Sequence, residues 1–561
     1  MRINMLYERP ESRYGIWLGT LSAGFLSLLF LFFLAMPVQA VEFDLGFAQG
    51  SFNTQVSYGA AFRVEKRDSD LVGIRNGGNA QAVNTDDGNL NYDRGLYSNV
   101  FKVTSELDLY RENFGVFLRG SAFYDYENEK EDRERTKLTS DAKELVGSDI
   151  DMLDYYLWAS LDIGSVPIQI RVGDQVVSWG ESTFIQNSIN TINSIDVSAI
   201  RLPGAELKEA LMPEGMIWVS AGLTENLTVE AVYLYDWEET IIDPLGSYFS
   251  TNDYASPGGS ELTIGNGMVP EGTFPYAVNR AKTKHASSSG QFGVAARFFV
   301  EQLNNSEFGL YFLNYHNRLP IISAINTTKA GFPAGAYYFN EYVEDIQLFG
   351  ASFSTEIAGY AFQGEFSHRL DVPLQIDDNE LLKKALGVPS QIPGTFVPGE
   401  VTDGYEELDV SQFQITTTKL TGPILGASQC VLLCEVGMTY IHDMPDEDEL
   451  KFDTPGKRTN GSEQYADDFS WGYRALAKLM YLDAIRGINF FPRIAWKHDV
   501  GGNSPGPGGN FIAHRKAVTI GLGTTYQSWS TDLSYTNFFG AGNFNTIHDR
   551  DMIAFNIKYA F

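Results

Sequence analysis

The sequence predicts an all-β fold, a transmembrane antiparallel β-barrel of the bacterial outer membrane with about 18 strands, 16 or 14 also being possible. Three observations predict it. Apolar and polar side chains alternate along many segments of about ten residues, as in strands with lipid on one face and water on the other. Short and long connections alternate between these segments. Charged residues within the segments share the polar face.

The last ten residues, 552–561, are the clearest such strand. Ile553, Phe555, Ile557, Tyr559 and Phe561 are apolar and are separated by polar or small residues, which is the period of two that a strand requires. A strand with a terminal Phe resembles the closing strand of outer-membrane barrels, which the barrel assembly machinery binds. We therefore expect Phe561 to bind that machinery.

The same alternation predicts further strands along the chain, and their polar faces carry charges that cannot be buried on both sides. These strands are 52–62, 101–109, 116–125, 153–163, 168–177, 215–222, 227–237, 291–301, 307–317, 345–357, 360–370, 409–419, 432–442, 470–481, 488–499, 516–527 and 529–539.

The connections between the predicted strands alternate in length. Glu112-Asn113, Gly164-Ser165 and Ala358-Gly359 are tight turns. The long connections are 66–95, 128–150, 180–214, 238–290, 318–343, 371–408 and 443–469. Short periplasmic turns and long extracellular loops are typical of bacterial barrels, whereas a soluble sandwich has no reason to separate its loops by length.

A charged side chain at the lipid midplane costs about 2 to 4 kcal/mol for Lys or Arg, so charges on these strands are expected to face the lumen. The predicted lumenal charges are Arg119, Arg171, Arg297, Glu365, Arg369, Arg474, Lys478, Arg493 and Lys497. Asp174 breaks the alternation, and we expect it above the membrane or at a bulge.

The N-terminus has the composition of a secretory signal peptide. Arg2, Arg9 and Arg13 precede an apolar run over 16–36, and cleavage is expected after Ala40. The alternative is an uncleaved membrane anchor, since the run is long enough to span a bilayer. Either way the chain is exported, and the barrel occupies 41–561. The expected location is the outer membrane of a Gram-negative bacterium.

The chain is acidic, with a formal net charge of −30. This charge argues against nucleic acid as a partner. It suits long loops that face outer-membrane lipid and a lipopolysaccharide layer rich in divalent cations, although ordinary solubilising charge explains it equally well. The two cysteines, Cys430 and Cys434, would lie about 13 Å apart within one strand, too far for a disulfide. A bridge requires a turn between them, and both arrangements stay open.

The long connection 180–214 is expected to fold into the lumen as a plug-like insertion. The stretch from Trp179 to Met212 carries many aliphatic residues among asparagines, with a short helix predicted over 203–211. So apolar a loop is a liability in water. Its predicted gate or substrate-path residues are Trp179, Phe184, Asn187, Asn190, Asn193, Arg201 and Glu206. The alternative is a loop packed over the rim for stability alone.

Three stretches resemble the proteobacterial outer-membrane barrel family catalogued as domain of unknown function thirteen-oh-two. They are Asp86 to Gly95 (DDGNLNYDRG), Phe117 to Gly120 (FLRG) and Gly173 to Glu181 (GDQVVSWGE). The resemblance covers nearly the whole mature chain. It implies an outer-membrane barrel, a companion periplasmic protein, an association with inner-membrane exporters of the resistance-nodulation-division type, and handling of hydrophobic compounds. It implies no catalytic residues.

The sequence predicts that the protein is not an enzyme and binds neither a metal nor a cofactor. Its seven histidines are scattered, without the H-E-x-x-H or G-x-S-x-G patterns. His442-Asp443, beside the acidic run 446–449, is the one cluster of note, and we interpret it as a solvated loop face. A triad assembled from several strands stays open.

The leading hypothesis is a channel for a lipophilic or amphipathic small molecule, in which passive diffusion is gated by the inward loop. The first alternative is a general or weakly selective porin. Its basic ladder, opposite Glu106, Asp108 and Glu365, would consist of Arg297, Arg369, Arg474, Lys478, Arg493 and Lys497. The second is a structural barrel that docks a periplasmic companion protein. Conductance separates the first two, and deletion of the loop tests the third.

Overall fold

The structure is a computed structural model that describes residues 41–130, 132–331, 333, 335–455 and 463–561. It is a closed antiparallel barrel of 18 strands, which confirms the predicted fold class and strand number. Every predicted strand has a counterpart, with ends displaced by a few residues. The predicted signal peptide, residues 1–40, lies outside the described residues.

The barrel strands follow each other around the wall in chain order. They are β2 Gln49–Arg63, β3 Gly95–Arg111, β4 Phe114–Asp125, β5 Ser148–Ile163, β6 Val166–Gln175, β7 Glu214–Thr224, β8 Leu227–Leu234, β11 Gln291–Val300, β12 Ser306–Tyr315, β15 Ile346–Ile357, β16 Tyr360–Gln375, β18 Tyr405–Thr421, β19 Gln429–Ile441, β20 Phe469–Ile485, β21 Ile488–Gly501, β22 Lys516–Tyr526, β23 Trp529–Phe539 and β24 Met552–Ala560.

The barrel closes where β24 pairs with β2, from Gln55↔Ala560 to Arg63↔Met552. Because β24 has 9 residues and β2 has 15, the first residues of β2 extend beyond it. Thr54 exchanges backbone hydrogen bonds with Phe561, and the short strand β1, Val41–Asp44, pairs with the next stretch of β2. These contacts leave little of the β2 edge unpaired, which a barrel in lipid requires.

Nine long loops emerge at one end of the barrel, and short turns join the strands at the other. The loops are L1 64–94, L2 126–147, L3 176–213, L4 235–290, L5 316–345, L6 376–404, L7 442–468, L8 502–515 and L9 540–551. The predicted alternation of loop length is therefore present around the whole wall.

The outer face of the barrel is apolar. Exposed side chains such as Leu157, Leu310, Phe366 and Ile520 point outward from the middle of their strands. Exposed aromatic residues occur at both ends, for example Phe114 beside a turn and Tyr233 below the loops. An apolar band between two aromatic girdles is the surface that a bilayer covers. Asp174, the penultimate residue of β6, lies on this face at the loop end, where its carboxylate is bonded to Tyr155.

The loops form a layer of their own over the barrel mouth. A five-stranded sheet combines β9 Glu261–Thr263, β10 Ala277–Arg280, β13 Ile321–Ile325, β14 Tyr337–Glu341 and β17 Val401–Thr402, in the order β17-β13-β14-β10-β9. Leu381 and Ala385 pack beneath it. The sequence did not predict this sheet.

The loop helices are short. They are α1 Asp87–Leu90, α2 Tyr126–Lys130, α3 Ser140–Val146, α4 Val197–Arg201, α5 Leu207–Ala210 and α6 Asp378–Ala385, with single 3-10 turns at Ser69–Leu71, Ile74–Asn76, Glu301–Leu303 and Gly542–Phe544. Within the described residues, none of the helices has the length and hydropathy of a membrane span. The helix predicted over 203–211 is reduced to α5, because Gly204 has a φ of +80° and the helix begins only at the capping box of Glu206 and Glu209.

Both cysteines lie in the single strand β19, and both are free thiols. The extended alternative from the sequence is therefore the one that this chain adopts, because two residues four positions apart in one strand are too widely separated for a bridge.

Candidate functional site

Loop L3 enters the barrel, and its first limb binds two buried carboxylates on the wall. Glu435 of β19 accepts backbone hydrogen bonds from Thr183, Phe184 and Ile185 at 2.8, 2.7 and 2.8 Å. Glu365 of β16 accepts from the backbone N–H groups of Glu181 and Ile189. A charged acceptor makes each of these bonds stronger than a neutral one, so the two carboxylates fix the path of the limb.

The second limb of L3 binds a different part of the wall. Glu206 accepts from Lys558 of β24 at 2.6 Å and from Gln55 of β2 at 3.1 Å. Glu209 binds Lys102 of β3, and Arg119 of β4 donates to the carbonyl of Lys208. Because four strands separate the two anchor regions on one side and seven on the other, L3 crosses the lumen.

The base of L3 is tied together by polar contacts. The Asn193 side chain accepts from the Val177 backbone at 2.9 Å and donates to the carbonyls of Gln175 and Met212. Arg318 of L5 is paired with the buried Glu214 at 2.6 Å and donates to the Ile192 carbonyl. The two ends of the loop are therefore held against each other and against L5.

An apolar cluster fills the lumen behind the first limb. Trp179, Ile189 and Ile192 of L3 pack against Trp218, Leu313 and other residues that face inward from β7, β8, β11, β12 and β15. Trp179 is 1% exposed, and its indole N–H donates to Glu230 at 2.9 Å. This side of the lumen has an apolar core, which is unusual for a water-filled pore and explains why L3 is rich in isoleucine.

A cavity of about 790 Å³ lies on the loop side of L3. Its walls combine apolar side chains, among them Phe184, Ile346 and Leu374, with amides such as Asn190 and Gln412. Eight of the nine long loops contribute to it, so it occupies the barrel mouth and not the middle of the lumen. Its volume is within the range of about 300 to 1,000 Å³ that small-molecule sites occupy.

The structure divides the predicted gate residues into two groups. Phe184, Asn187, Asn190 and Asn193 line the cavity. The other three predicted gate residues do not line the cavity. Trp179 belongs to the apolar cluster, and Glu206 is an anchor of the second limb. Arg201 lies 4.3 Å above the Phe249 ring and is paired with Asp243. The seven residues therefore belong to one loop but not to one site.

Four of the eight cations among the nine predicted lumenal charges are paired with carboxylates. Arg119 binds Glu106 and Asp154, Arg297 binds Glu230 and Glu307, Arg474 binds Asp499, and Arg493 binds Asp532. Arg171 stacks on Trp218 at 4.1 Å, and Lys478 lies 4.8 Å from the Phe491 ring. Lys497 faces its cross-strand neighbour Arg474. Of the nine residues, Arg369 alone lines the cavity.

Several residues of the site were not predicted from the sequence. Glu435, the strongest anchor of L3, lies on the inward face of a predicted strand, and that parity was the available signal. Gln412 of β18 and Asn510 of L8 both donate to the Gln186 carbonyl, at 2.7 and 2.8 Å. The stretch 505–509 of L8 also lines the cavity, and its Pro- and Gly-rich composition was the available signal.

Two of the scattered histidines meet on the outer face. Ser411 of β18 lies between His442, whose Nε2 is at 2.8 Å, and His368, whose Nδ1 is at 3.0 Å. In the part of the chain that the structure describes, no carboxylate lies within 4.0 Å of either imidazole. A catalytic triad needs a third group that orients the base, so this pair does not make a hydrolase site by itself.

The structure also brings acidic residues together in the loops. Asp86, Asp87, Asp253 and Glu271 each place one carboxylate oxygen within 4.8 Å of the others, and Arg135 pairs with two of them. Burial and the charge of Asp87 raise the pKa of Asp253 well above its ordinary value. Burial also raises the pKa of Asp86, to about 6. The sequence had drawn attention instead to the run 446–449, whose four residues are exposed.

Comparison with known proteins identifies the family. The profile of the family described as "Protein of unknown function (DUF1302)" matches residues 21–561. The chain belongs to this family. No curated protein matches this DUF1302 chain.

Solved structures similar to this DUF1302 protein are barrels of low sequence identity. OccAB3 of Acinetobacter baumannii has a TM-score of 0.44 and 10% identity, with 91% of this chain and 99% of that chain covered. OccK2 (OpdF) of Pseudomonas aeruginosa, in complex with glucuronate, has a TM-score of 0.40 and 8% identity over 91% and 98%. A BenF-like porin from Pseudomonas fluorescens Pf-5 has a TM-score of 0.41 and 8% identity, with 91% of this chain and 98% of that chain covered.

Proposed function

We propose that this protein is an outer-membrane channel for a lipophilic or amphipathic small molecule, with L3 as the gate between the cavity and the rest of the lumen. The single observation that carries the proposal is the course of L3, which crosses the lumen between its anchors on β16 and β19 and its anchors on β24, β2 and β3. A loop in this position controls what passes through the barrel.

The chemistry of the cavity supports a solute with an apolar body. Burial of apolar surface against Phe184, Ile346 and Leu374 supplies affinity, and the amides of Asn190 and Gln412 orient polar groups of the solute. Diffusion down a concentration gradient supplies the driving force. Release of the first limb from Glu365 and Glu435 would open the path to the turn end.

The general porin receives less support from the lumenal charges. A basic ladder attracts anions only when its cations are free, but its members Arg297, Arg474 and Arg493 are each paired with a carboxylate. Their fields are therefore largely cancelled within a few ångströms.

The location and the partners are parts of the same proposal. The apolar outer band and the two aromatic girdles suit the outer membrane of a Gram-negative bacterium. Lipid and lipopolysaccharide would surround the band and the acidic loops. Phe561, whose backbone closes the barrel against Thr54, would be the contact for the assembly machinery, and the short turns would face a periplasmic companion protein.

Uptake into proteoliposomes tests the proposal. 4-Nitrophenyl glucoside, which crosses lipid slowly, is supplied outside vesicles that contain β-glucosidase, and cellobiose serves as a hydrophilic solute of similar size. The wild type should admit the aromatic glucoside about tenfold faster, because partial burial of its ring, roughly 55 Å² of apolar surface, stabilises it in the cavity by about 1.4 kcal/mol. Replacement of 180–212 by a short Gly-Ser linker should admit both solutes at similar rates.

The alternatives give different results in the same assay. A general porin admits both solutes equally before any loop is removed. A structural or docking barrel admits neither solute, with or without L3, and either result would overturn the proposal.

A further inference from the structure

The guanidinium of Arg369 is a buried cation without a partner in the cavity wall. Arg369 lies on β16, its side chain is 8% exposed, and its Nε is buried without a hydrogen-bond acceptor. Within the described residues, no carboxylate lies within 4.0 Å of it. A buried charge without a partner is costly, so proteins normally pair it, and this one lines the cavity.

The other lumenal arginines show that this lack of a partner is specific to Arg369. Four of them have a carboxylate within 3.3 Å, namely Arg119, Arg297, Arg474 and Arg493. Arg171 is stacked on the face of Trp218. The nearest acid along the same face of β16 is Glu365. Its oxygens accept from the backbone of L3 and from Gln414, so it is already occupied.

The backbone at Arg369 is also specialised. The pairing of β16 with β18 shifts register between Arg369 and Val372. Asp371 lies in this bulge and has a φ of +58°, in the left-handed region. Bulges change the direction of side chains and are frequent beside functional sites. Beyond the bulge, Val372, Pro373 and Leu374 all line the cavity. The bulge therefore marks the point where the barrel wall becomes the cavity wall.

We propose that Arg369 is an anion subsite, and that the solute of the cavity is an amphipathic monocarboxylate. The carboxylate of the solute would accept hydrogen bonds from the N–H groups of Arg369, with Gln412 as a neighbouring amide. The apolar body of the solute would lie against Val372, Ile346 and Phe184. A dianion is disfavoured, because Asp378 and Asp453 belong to the same lining. This inference rests on the proposed function and names the substrate class of that site.

Paired fluorescent probes test the inference. 2-Naphthoate and 2-naphthylmethanol share one apolar body and differ in charge, and binding to the full chain in nanodiscs is measured with empty nanodiscs subtracted. The wild type should bind the carboxylate about tenfold more tightly, as expected for one charge-assisted contact. Arg369→Gln should bring the two affinities within about twofold and leave the alcohol unchanged, whereas Arg369→Lys should keep part of the preference.

Lys478→Gln is the matched control, because Lys478 is a lumenal cation that does not line the cavity. It should keep the wild-type preference, and a heat-dependent shift in gel mobility confirms that each variant is folded. Equal binding of both probes by the wild type, or an unchanged preference in Arg369→Gln, would overturn the anion subsite while leaving the channel in place. Binding of neither probe would contradict the cavity function itself.

Discussion

The backbone N–H of Phe184 lies 2.7 Å from the carboxylate of Glu435, although 251 residues separate them in the chain. Glu435 is fully buried, and the same carboxylate accepts from Thr183 and Ile185. One wall residue therefore holds three consecutive residues of L3. The position of L3 in the lumen therefore depends on this contact.

Glu435→Gln should weaken the docking of the first limb. A neutral amide can accept fewer of the three bonds and accepts them less strongly, so we expect a loss of about 1 to 3 kcal/mol. Trypsin measures the release, since Arg201 and Lys208 are cleavable positions within L3. Cleavage in L3 should become at least several times faster than in the wild type.

Glu307→Gln is the control for this variant. Glu307 also faces the lumen and pairs with Arg297, but within the described residues it has no hydrogen bond or ion pair to L3. Its cleavage rate should remain that of the wild type. Equal acceleration in both variants would mean that lumenal charge in general, and not the Glu435 contact, holds the loop.

Trp179→Ala should release L3 from the apolar cluster. Loss of a buried Trp typically costs about 3 to 5 kcal/mol, and the change also leaves Glu230 without one of its two indole donors. L3 should be cleaved rapidly while the barrel itself keeps its heat-resistant mobility on gels. Trp237→Ala, which removes a buried Trp from L4, should leave cleavage in L3 slow. The opposite order of the two variants would refute the role assigned to the cluster.

The acidic cluster of L1 and L4 predicts a dependence on pH. Burial raises the pKa of Asp86 from 3.8 to about 6, and burial also raises the pKa of Asp253 well above its ordinary value. The folded loops therefore bind more protons than unfolded loops do, so their stability is greatest near pH 4 and falls as the pH rises through 6. For Asp86 the loss is about 3 kcal/mol at most.

Hydrogen exchange measures this effect. After correction for intrinsic rates, peptides over 81–93 and 247–256 should exchange faster at pH 7 than at pH 4.5. Asp253→Asn removes one of the carboxyl groups whose pKa is raised and should slow exchange at pH 7. Asp448→Asn, in the exposed acidic run 446–449, should leave the exchange rates of both peptides unchanged. Exchange that becomes slower as the pH rises would contradict the assignment.

The barrel was predictable because the signal for each strand is local. Lipid outside and a polar lumen inside impose the alternation on every strand separately, so residues such as Leu157 and Arg171 show their direction without knowledge of any neighbour. The crossing loop was predictable for a similar reason, since isoleucines in a long loop need an apolar partner.

The loop sheet and the anchors were not predictable in this way. β10 has only four residues and pairs with β14, which lies about sixty residues further along the chain, so its pattern is too short to detect. The state of each lumenal cation also depends on distant geometry. Arg493 reaches Asp532 across Gly521, where a side chain would block it, whereas nothing in the sequence separates Arg369 from its paired counterparts.

Single-channel recording in planar bilayers tests the central claim, that L3 closes an otherwise open barrel, most directly. The wild type should be nearly silent, and the chain with 180–212 replaced by a short linker should carry a large, steady current. A large steady current through the wild type, or silence from the chain without the loop, would contradict the account.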